Sequence, residues 1–281
     1  MYLVYNSDIL PESNLLLTAD NRAFRYGDGL FETIRFEQGQ LWFWADHYTR
    51  LSRGMQALQL QARPDMTPDV LEGHITALLY LNGLAGQAAR IKLQVWRQPG
   101  GLYTPAGNES EYLLTVLPGQ PFTITARNRL GVYDAVRLTS SPVSAFKTLN
   151  ALPYVLAGLY KQQQQLDDVI LLDTAGHLAE CNASNLFWFR ARTLFTPSLA
   201  SGCIDGIVRR QLLRQAAQAG FSVNETLSRP DALTEAGLIF CCNAAGIQWF
   251  RQLDIDGVST NMANAAQALD TLRPLFATLM P

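Results

Sequence analysis

Lysine is scarce in this sequence: of 22 basic side chains only Lys92, Lys147 and Lys161 carry an amine rather than a guanidinium. Any chemistry that needs a nucleophilic amine is confined to those three positions, which otherwise read as solvated surface charges. The three histidines, His47, His74 and His177, stand isolated, His74 within a helical pattern and His177 in a turn. Neither a histidine metal site nor a Ser-His-Asp arrangement is spelled out. The four cysteines, Cys181, Cys203, Cys241 and Cys242, lack CxxC spacing and have no histidine at ligand distance. They read as small buried apolar residues of a protein kept reduced, which suits the cytoplasm. No stretch reaches the roughly 18 apolar residues of a membrane helix. The opening MYLVYNSDILPES lacks the basic-then-apolar order of a signal peptide and reads as a strand and a turn. Basic charge is not in excess either. The formal net charge is −2 and Lys and Arg are dispersed, which gives no support to a polybasic membrane anchor and argues against a nucleic-acid partner.

What is present is core. The 281 residues are 48% hydrophobic and 16% charged, enough for one large domain or two ordinary ones. FETIRF at 31–36 alternates as a half-buried strand, and EQGQ followed by LWFW predicts a hairpin. From Asp46, which suits a helix cap, Leu51, Met55 and Leu58 fall on one stripe. Thr67-Pro68 opens a second helix that ends at Asn82-Gly83. ARIKLQVWR and EYLLTVL read as strands around PGGLYTPAG, and LPGQP at 117–121 is the best linker. The second half predicts strands at GVYDAVRLT, VILLD, HLAE, NLFWF and GLIFCCN. Its helices are expected from about Leu152, Ile207 and Ala263. These elements give an α+β protein of two lobes, 1–118 smaller and 119–281 larger.

Two segments suggest chemistry. RYGDGLF has two glycines but precedes a strand, so it reads as a tight turn rather than a nucleotide loop. SGCIDGIVRRQLL takes a glycine turn into a helix, whose first N–H groups at Gly206, Ile207 and Val208 suit an anion such as phosphate. On spacing alone it is a plain helix capped by Asp205.

Taken in order, RYGDGLFETIR, HYTRL, the lysine of KTLN, LAECNASNLFWF and GCIDGIVRRQ resemble the class IV, or fold type IV, pyridoxal-phosphate enzymes. That group includes branched-chain and D-amino-acid aminotransferases and aminodeoxychorismate lyases. The blocks span about residues 20–250. The resemblance implies a two-lobed fold like that of D-amino-acid aminotransferase, with pyridoxal 5'-phosphate in the inter-lobe cleft. It implies that Lys147 carries the cofactor through its amine and moves the proton at the substrate carbon, which requires the neutral amine. It places Glu180 at the pyridine nitrogen, where a carboxylate keeps the ring protonated and electron-withdrawing. Arg50 and the N–H groups of Ile207 and Val208 would hold the phosphate, Asn243 and Ala244 would close its cup, and Ile204 would pack on the ring. Tyr26, Thr33 and Arg97 are the candidates for the substrate pocket, Arg97 for a carboxylate. Arg25 is a further candidate there.

Asp205 departs from the proline or neutral residue usual there, and Val208 from a common hydroxyl. A carboxylate beside a phosphate is costly unless it points away or meets a cation such as Arg209. CNASNLFW, CNAAG, the hydrophobic helix after KTLN and the short chain favour aminodeoxychorismate lyase within the group. The alternatives are an aminotransferase for branched-chain or D-amino acids and, in another class, a non-catalytic cofactor-binding protein. The resemblance also implies a homodimer acting on a small amino substrate.

Overall fold

The computed structural model describes residues 1–280. By its internal contacts the chain divides into two units: Met1–Pro121 with Phe146–Asn150, and Phe122–Ala145 with the chain from Ala151 onward.

The first unit is built on six strands, β1 (Tyr2–Tyr5), β2 (Asp8–Pro11), β3 (Gly29–Glu37), β4 (Gln40–Leu41), β5 (Ala89–Arg97) and β6 (Ser110–Pro118). Their order is β2-β1-β6-β5-β3-β4, with every pairing antiparallel. Three helices, α1 (Arg22–Tyr26), α2 (Trp44–Ala57) and α3 (Pro68–Leu81), complete it. The period of two along β3 and β5 sends Leu30, Ile34, Ile91, Leu93 and Val95 into one core with Leu51 and Met55 of α2 and Leu71, Ile75 and Leu78 of α3. Burying each such side chain contributes about 1.5–3 kcal/mol. The start of α3 follows its sequence signature: Thr67 Oγ1 accepts from Val70 N, and Pro68 occupies the first turn.

The expected hairpin strand LWFW does not form. Only Gln40–Leu41 pairs with β3, and Phe43, at φ 55°, turns the chain into a helix that begins at Trp44 without a side-chain cap. Asp46 therefore lies inside the first turn rather than capping it, because the aromatics serve a helix entry instead of a strand.

The second unit contains β7 (Thr123–Leu138), α4 (Leu152–Gln163), β8 (Asp168–Asp173), β9 (Leu178–Cys181), β10 (Asn185–Arg190) and β11 (Thr193–Pro197). It continues through α5 (Ile207–Gln218), β12 (Ser222–Thr226), β13 (Leu238–Asn243), β14 (Gly246–Ile255), β15 (Val258–Asn261) and α6 (Ala265–Ala277). The sheet runs β12-β11-β10-β13-β14-β7-β8-β9, with β15 on β14. β7 is parallel to both β14 and β8 and carries a register shift between Tyr133 and Arg137. The run DVILLD is buried at every position, as a strand covered on both faces must be. Among the described residues no helix is long and apolar enough to cross a membrane.

Candidate active site

The residues singled out from the sequence fall into two groups, one in each unit. In the first unit the segment around Lys147 joins the sheet. Phe31 N donates to Lys147 O at 2.8 Å, Leu149 N donates to Gly29 O at 2.9 Å, and Thr148 bridges Leu30. Residues opposite one another in an antiparallel pair share a face, so Lys147 projects with Phe31 and Thr33. Its amine stands 4.8 Å from the centroid of the Phe31 ring. Gly54 of α2 admits this segment: a Cβ there would lie 2.7 Å from Leu30 Cδ1 and 3.2 Å from Phe146 Cγ.

Lys92, which sequence reasoning left as a surface charge, stands 5.2 Å from the same ring. Burial, and after it Arg90, lowers its ammonium below the ordinary lysine range. The register Thr33↔Lys92 between β3 and β5 was the signal that could have found it.

Arg50 comes from α2 to the opposite, helix-covered face of β3. Its Nε donates to Glu32 Oε1 at 2.8 Å and its Nη2 to Glu32 Oε2, while His47 Nδ1 lies 2.7 Å from Oε2. All three residues are buried. Burial drives the Glu32 carboxyl upward, but Arg50 and His47 outweigh it and bring it to about 2. His47 is thus a member of a charged cluster, not isolated as its sequence neighbours suggested. The i, i+3 spacing puts His47 and Arg50 on one face of α2, but only the folded chain shows that this face meets Glu32.

Arg97 is 6% exposed and heavily engaged. It donates to Asp28 from Nε at 3.0 Å, to Asn108 Oδ1 and Gln59 O from Nη1, and to Leu58 O from Nη2 at 2.7 Å. Arg22 donates from Nε to the same Asp28 oxygen at 2.8 Å, and its guanidinium carbon lies 4.9 Å above the ring of Tyr26. Arg97 is therefore an anchor of its own loop, and a carboxylate ligand would have to displace these acceptors.

The second unit assembles a carboxylate and a helix end. Glu180, 3% exposed at the end of β9, accepts from Tyr154 Oη at 2.6 Å on Oε1. Its Oε2 accepts from Ile204 N at 3.1 Å and Asn185 Nδ2 at 3.4 Å. Asn185 Nδ2 also donates to Ile204 O at 2.7 Å, tying the turn before α5 to the start of β10. Burial, then the charge on Glu180, pushes the Tyr154 phenol well above the usual tyrosine range, and the same causes raise the Cys203 thiol to about 12. Tyr154 and Asn185 were not picked out as site residues. Asn185 lay within the quoted block CNASN, whereas Tyr154 reads as an ordinary helix aromatic.

The cap of α5 is Gly206, not Asp205, and no side chain caps the helix. Asp205 instead accepts from Arg210 Nη2 at 2.6 Å and lies 3.8 Å from Arg209 Nη1. Its charge is met by the cations of the first turn, and the N–H groups of Ile207 and Val208 are among those that any helix start leaves without an intrahelical acceptor. At the tip of β13, Asn243 Oδ1 accepts from Ala245 N at 2.7 Å and its Nδ2 donates to Ala183 O at 3.1 Å. The turn through Ala244 leads to Gly246, where a Cβ would lie 2.3 Å from Thr123 O.

A family model described as amino-transferase class IV matches residues 29–252. The chain belongs to that family. It is a pyridoxal-phosphate-dependent enzyme of fold type IV. An aminodeoxychorismate lyase of Vibrio harveyi is 30% identical over 240 residues, covering 84% of this chain and 85% of that protein. A protein named probable branched-chain-amino-acid aminotransferase, of Rickettsia bellii, is 25% identical over 288 residues, covering 99% and 96%. Among solved structures, the branched-chain aminotransferase of Thermoproteus uzoniensis with norvaline superposes with a TM-score of 0.85 at 22% identity, covering 100% and 96% of the two chains. That likeness shows the fold.

The residues of this class IV chain fit such a cofactor. The α5 start is uncapped, and Gly206 leaves its side free of a Cβ that would meet Asn185 Oδ1 at 1.9 Å. Glu180 is a buried carboxylate already organised by three donors, the kind of acceptor a protonated ring nitrogen calls for.

Proposed function

We propose that this enzyme is a 4-amino-4-deoxychorismate lyase that releases 4-aminobenzoate and pyruvate on the route to folate. The observation that carries the proposal is the organised Glu180 carboxylate, immediately before the block CNASNLFW, together with the likeness to the Vibrio harveyi lyase. Pyridoxal phosphate, when bound, supplies the electron sink that stabilises a carbanion at the substrate carbon. Lys147 would hold the cofactor through its amine and, when that amine is free, would take the proton from the substrate carbon that bears the amino group. Departure of the enolpyruvyl group, which takes up that proton to become pyruvate, would leave the ring aromatic. Glu180 would keep a proton at the cofactor's ring nitrogen. Ile207 and Val208 would offer their N–H groups to its phosphate, with Asn243 and Ala244 helping to hold that group and Ile204 packing on the ring. Arg50, oriented by Glu32, adds cationic charge to phosphate binding. Tyr26 and Thr33 belong to the substrate pocket, whereas Arg97 acts in it through its anchoring of Asp28.

The test is incubation of the protein, loaded with pyridoxal phosphate, with enzymatically generated aminodeoxychorismate while 4-aminobenzoate fluorescence is followed. Rapid product that disappears in Lys147→Ala supports the lyase. The second reading is an aminotransferase, favoured by the name of the Rickettsia bellii relative. It takes over if no 4-aminobenzoate forms while D- or branched-chain amino acids convert the cofactor to its amine form. The enzyme is further proposed to act in the cytoplasm as a homodimer. On α4, Leu152, Val155, Leu156 and Leu159 form an i, i+3, i+4, i+7 apolar stripe that is exposed in the single chain. Light scattering of the purified protein tests the dimer.

A further inference from the structure

We infer that Tyr154 is a positioning residue for the cofactor's ring nitrogen, acting through the Glu180 carboxylate that its hydroxyl holds. The inference rests on the functional reading above, in which Glu180 faces that nitrogen. A glutamate carboxylate turns easily about its terminal torsion, which has broad wells rather than sharp ones. Two anchors on different oxygens stop that rotation. Here Oε2 is held by Ile204 N and Asn185 Nδ2, and Oε1 by the Tyr154 hydroxyl at 2.6 Å. The first anchor comes from the turn before α5, the second from α4.

Tyr154 lies seven residues after Lys147. The helix that follows the cofactor lysine therefore also carries the group that orients the cofactor's carboxylate. The short O–H···O contact is charge-assisted, the stronger kind of hydrogen bond. The hydroxyl stays protonated because burial and the adjacent charge both oppose its ionisation, so it remains a donor throughout the working range. Two thiols also neighbour the carboxylate: Cys203, raised to about 12, and Cys181, raised chiefly by burial, and both stay neutral there. The ring of Tyr154 packs against the cluster of Leu138, Ala157, Val169 and Leu171. Phenylalanine keeps that packing and deletes only the hydroxyl.

The experiment titrates the apoprotein with pyridoxal phosphate and with its 1-deaza analogue, in which a C–H replaces the ring nitrogen, and follows quenching of protein fluorescence. The wild-type protein is expected to bind pyridoxal phosphate about tenfold or more tightly than the analogue, the range of a charged hydrogen bond. Tyr154→Phe should lose most of that preference while its affinity for the analogue stays unchanged. Adding Glu180→Gln to Tyr154→Phe should then cost little more, because the carboxylate has already lost its orientation. Tyr154→Leu, which also removes the packing, should weaken both ligands further but show no preference.

A Tyr154→Phe protein that discriminates as the wild type does overturns the inference and leaves the functional reading standing. So does a variant in which both affinities fall together, because that is the signature of a merely structural residue. A wild-type protein that does not discriminate, or shows no lysine-bound cofactor band, overturns the functional reading and this inference with it.

Discussion

Replacing Glu32 by leucine should open the first unit far more than any loss of surface charge would. Glu32 is 2% exposed, Arg50 3% and His47 4%, and the two basic side chains meet on the one carboxylate. Glu32→Leu leaves the guanidinium buried without its counter-charge, and breaking such a pair typically costs about 3–5 kcal/mol. The carboxyl's own titration gives an independent figure. It stands at about 2 in the folded protein against an ordinary 4.5, a difference worth about 3 kcal/mol. A folded value below the unfolded one means that this stability is present in full above about pH 5 and is lost as the pH falls towards 2. The two figures agree within the spread of either.

The protein has two units, so a single melting curve is the wrong readout. Hydrogen exchange of peptides from β3 and α2, followed by mass spectrometry, reports opening of this region alone. At pH 7, Glu32→Leu should speed exchange there by about a hundredfold to several thousandfold. Glu32→Leu combined with Arg50→Met should recover most of the loss, because a dry site without either ion costs little. A single variant within a factor of five of wild type, or a double variant no better than the single, would refute the reasoning that Glu32 balances a buried charge.

Gly206→Ala places a Cβ 1.9 Å from Asn185 Oδ1, so the amide must swing away from Ile204 O. Cofactor affinity, read by fluorescence titration, should drop by about tenfold, and Asn185→Ala in the same chain should relieve part of it. Unchanged affinity in Gly206→Ala would show that the turn has room to yield. Asp205→Asn releases Arg210 from its 2.6 Å partner and removes a negative charge beside the start of α5. Cofactor phosphate affinity should rise by about two- to fivefold, the size of a helix-end charge effect, and a fall would mean that the ion pair itself shapes the cup. All four thiols are buried, and burial raises Cys181, Cys203 and Cys242 above the ordinary range. A colorimetric disulfide reagent at pH 8 should therefore react only as fast as the protein unfolds, and rapid labelling of the native protein would contradict that burial.

Much of the architecture was legible because the apolar periods are clean. β3, β5, α3, β8 and β13 lie where alternation, Thr67-Pro68 capping and continuous apolar runs put them. Where the pattern was ambiguous, tertiary demands decided. LWFW has the composition of a strand, but Phe43 takes a left-handed conformation and begins a helix. Asp205 is a good capping residue by type, yet two arginines in the following turn outcompete the helix N–H groups for its carboxylate. The site was legible as blocks and not as contacts. Glu180 was a candidate through the resemblance of LAECNASNLFWF, but nothing in a linear string shows that Tyr154 on α4 reaches it, or that Glu32 on β3 meets His47 and Arg50 on α2. Such pairs depend on register and helix phase, both of which are settled only when the core closes.

The lysine and the glutamate of the proposed site are also held by different means. Lys147 owes its place to the main chain: its carbonyl and the N–H of Leu149 pair with β3, so the side chain's direction follows from strand alternation. Only proline at 31 or 149 would remove a donor of those bonds outright. Glu180 owes its orientation to side chains and one turn, namely Tyr154, Asn185 and the N–H of Ile204. Apart from Gly54, where a Cβ would press on Leu30 and Phe146, the lysine's position should accordingly tolerate side-chain variation around it, whereas the carboxylate's should respond to each of its partners.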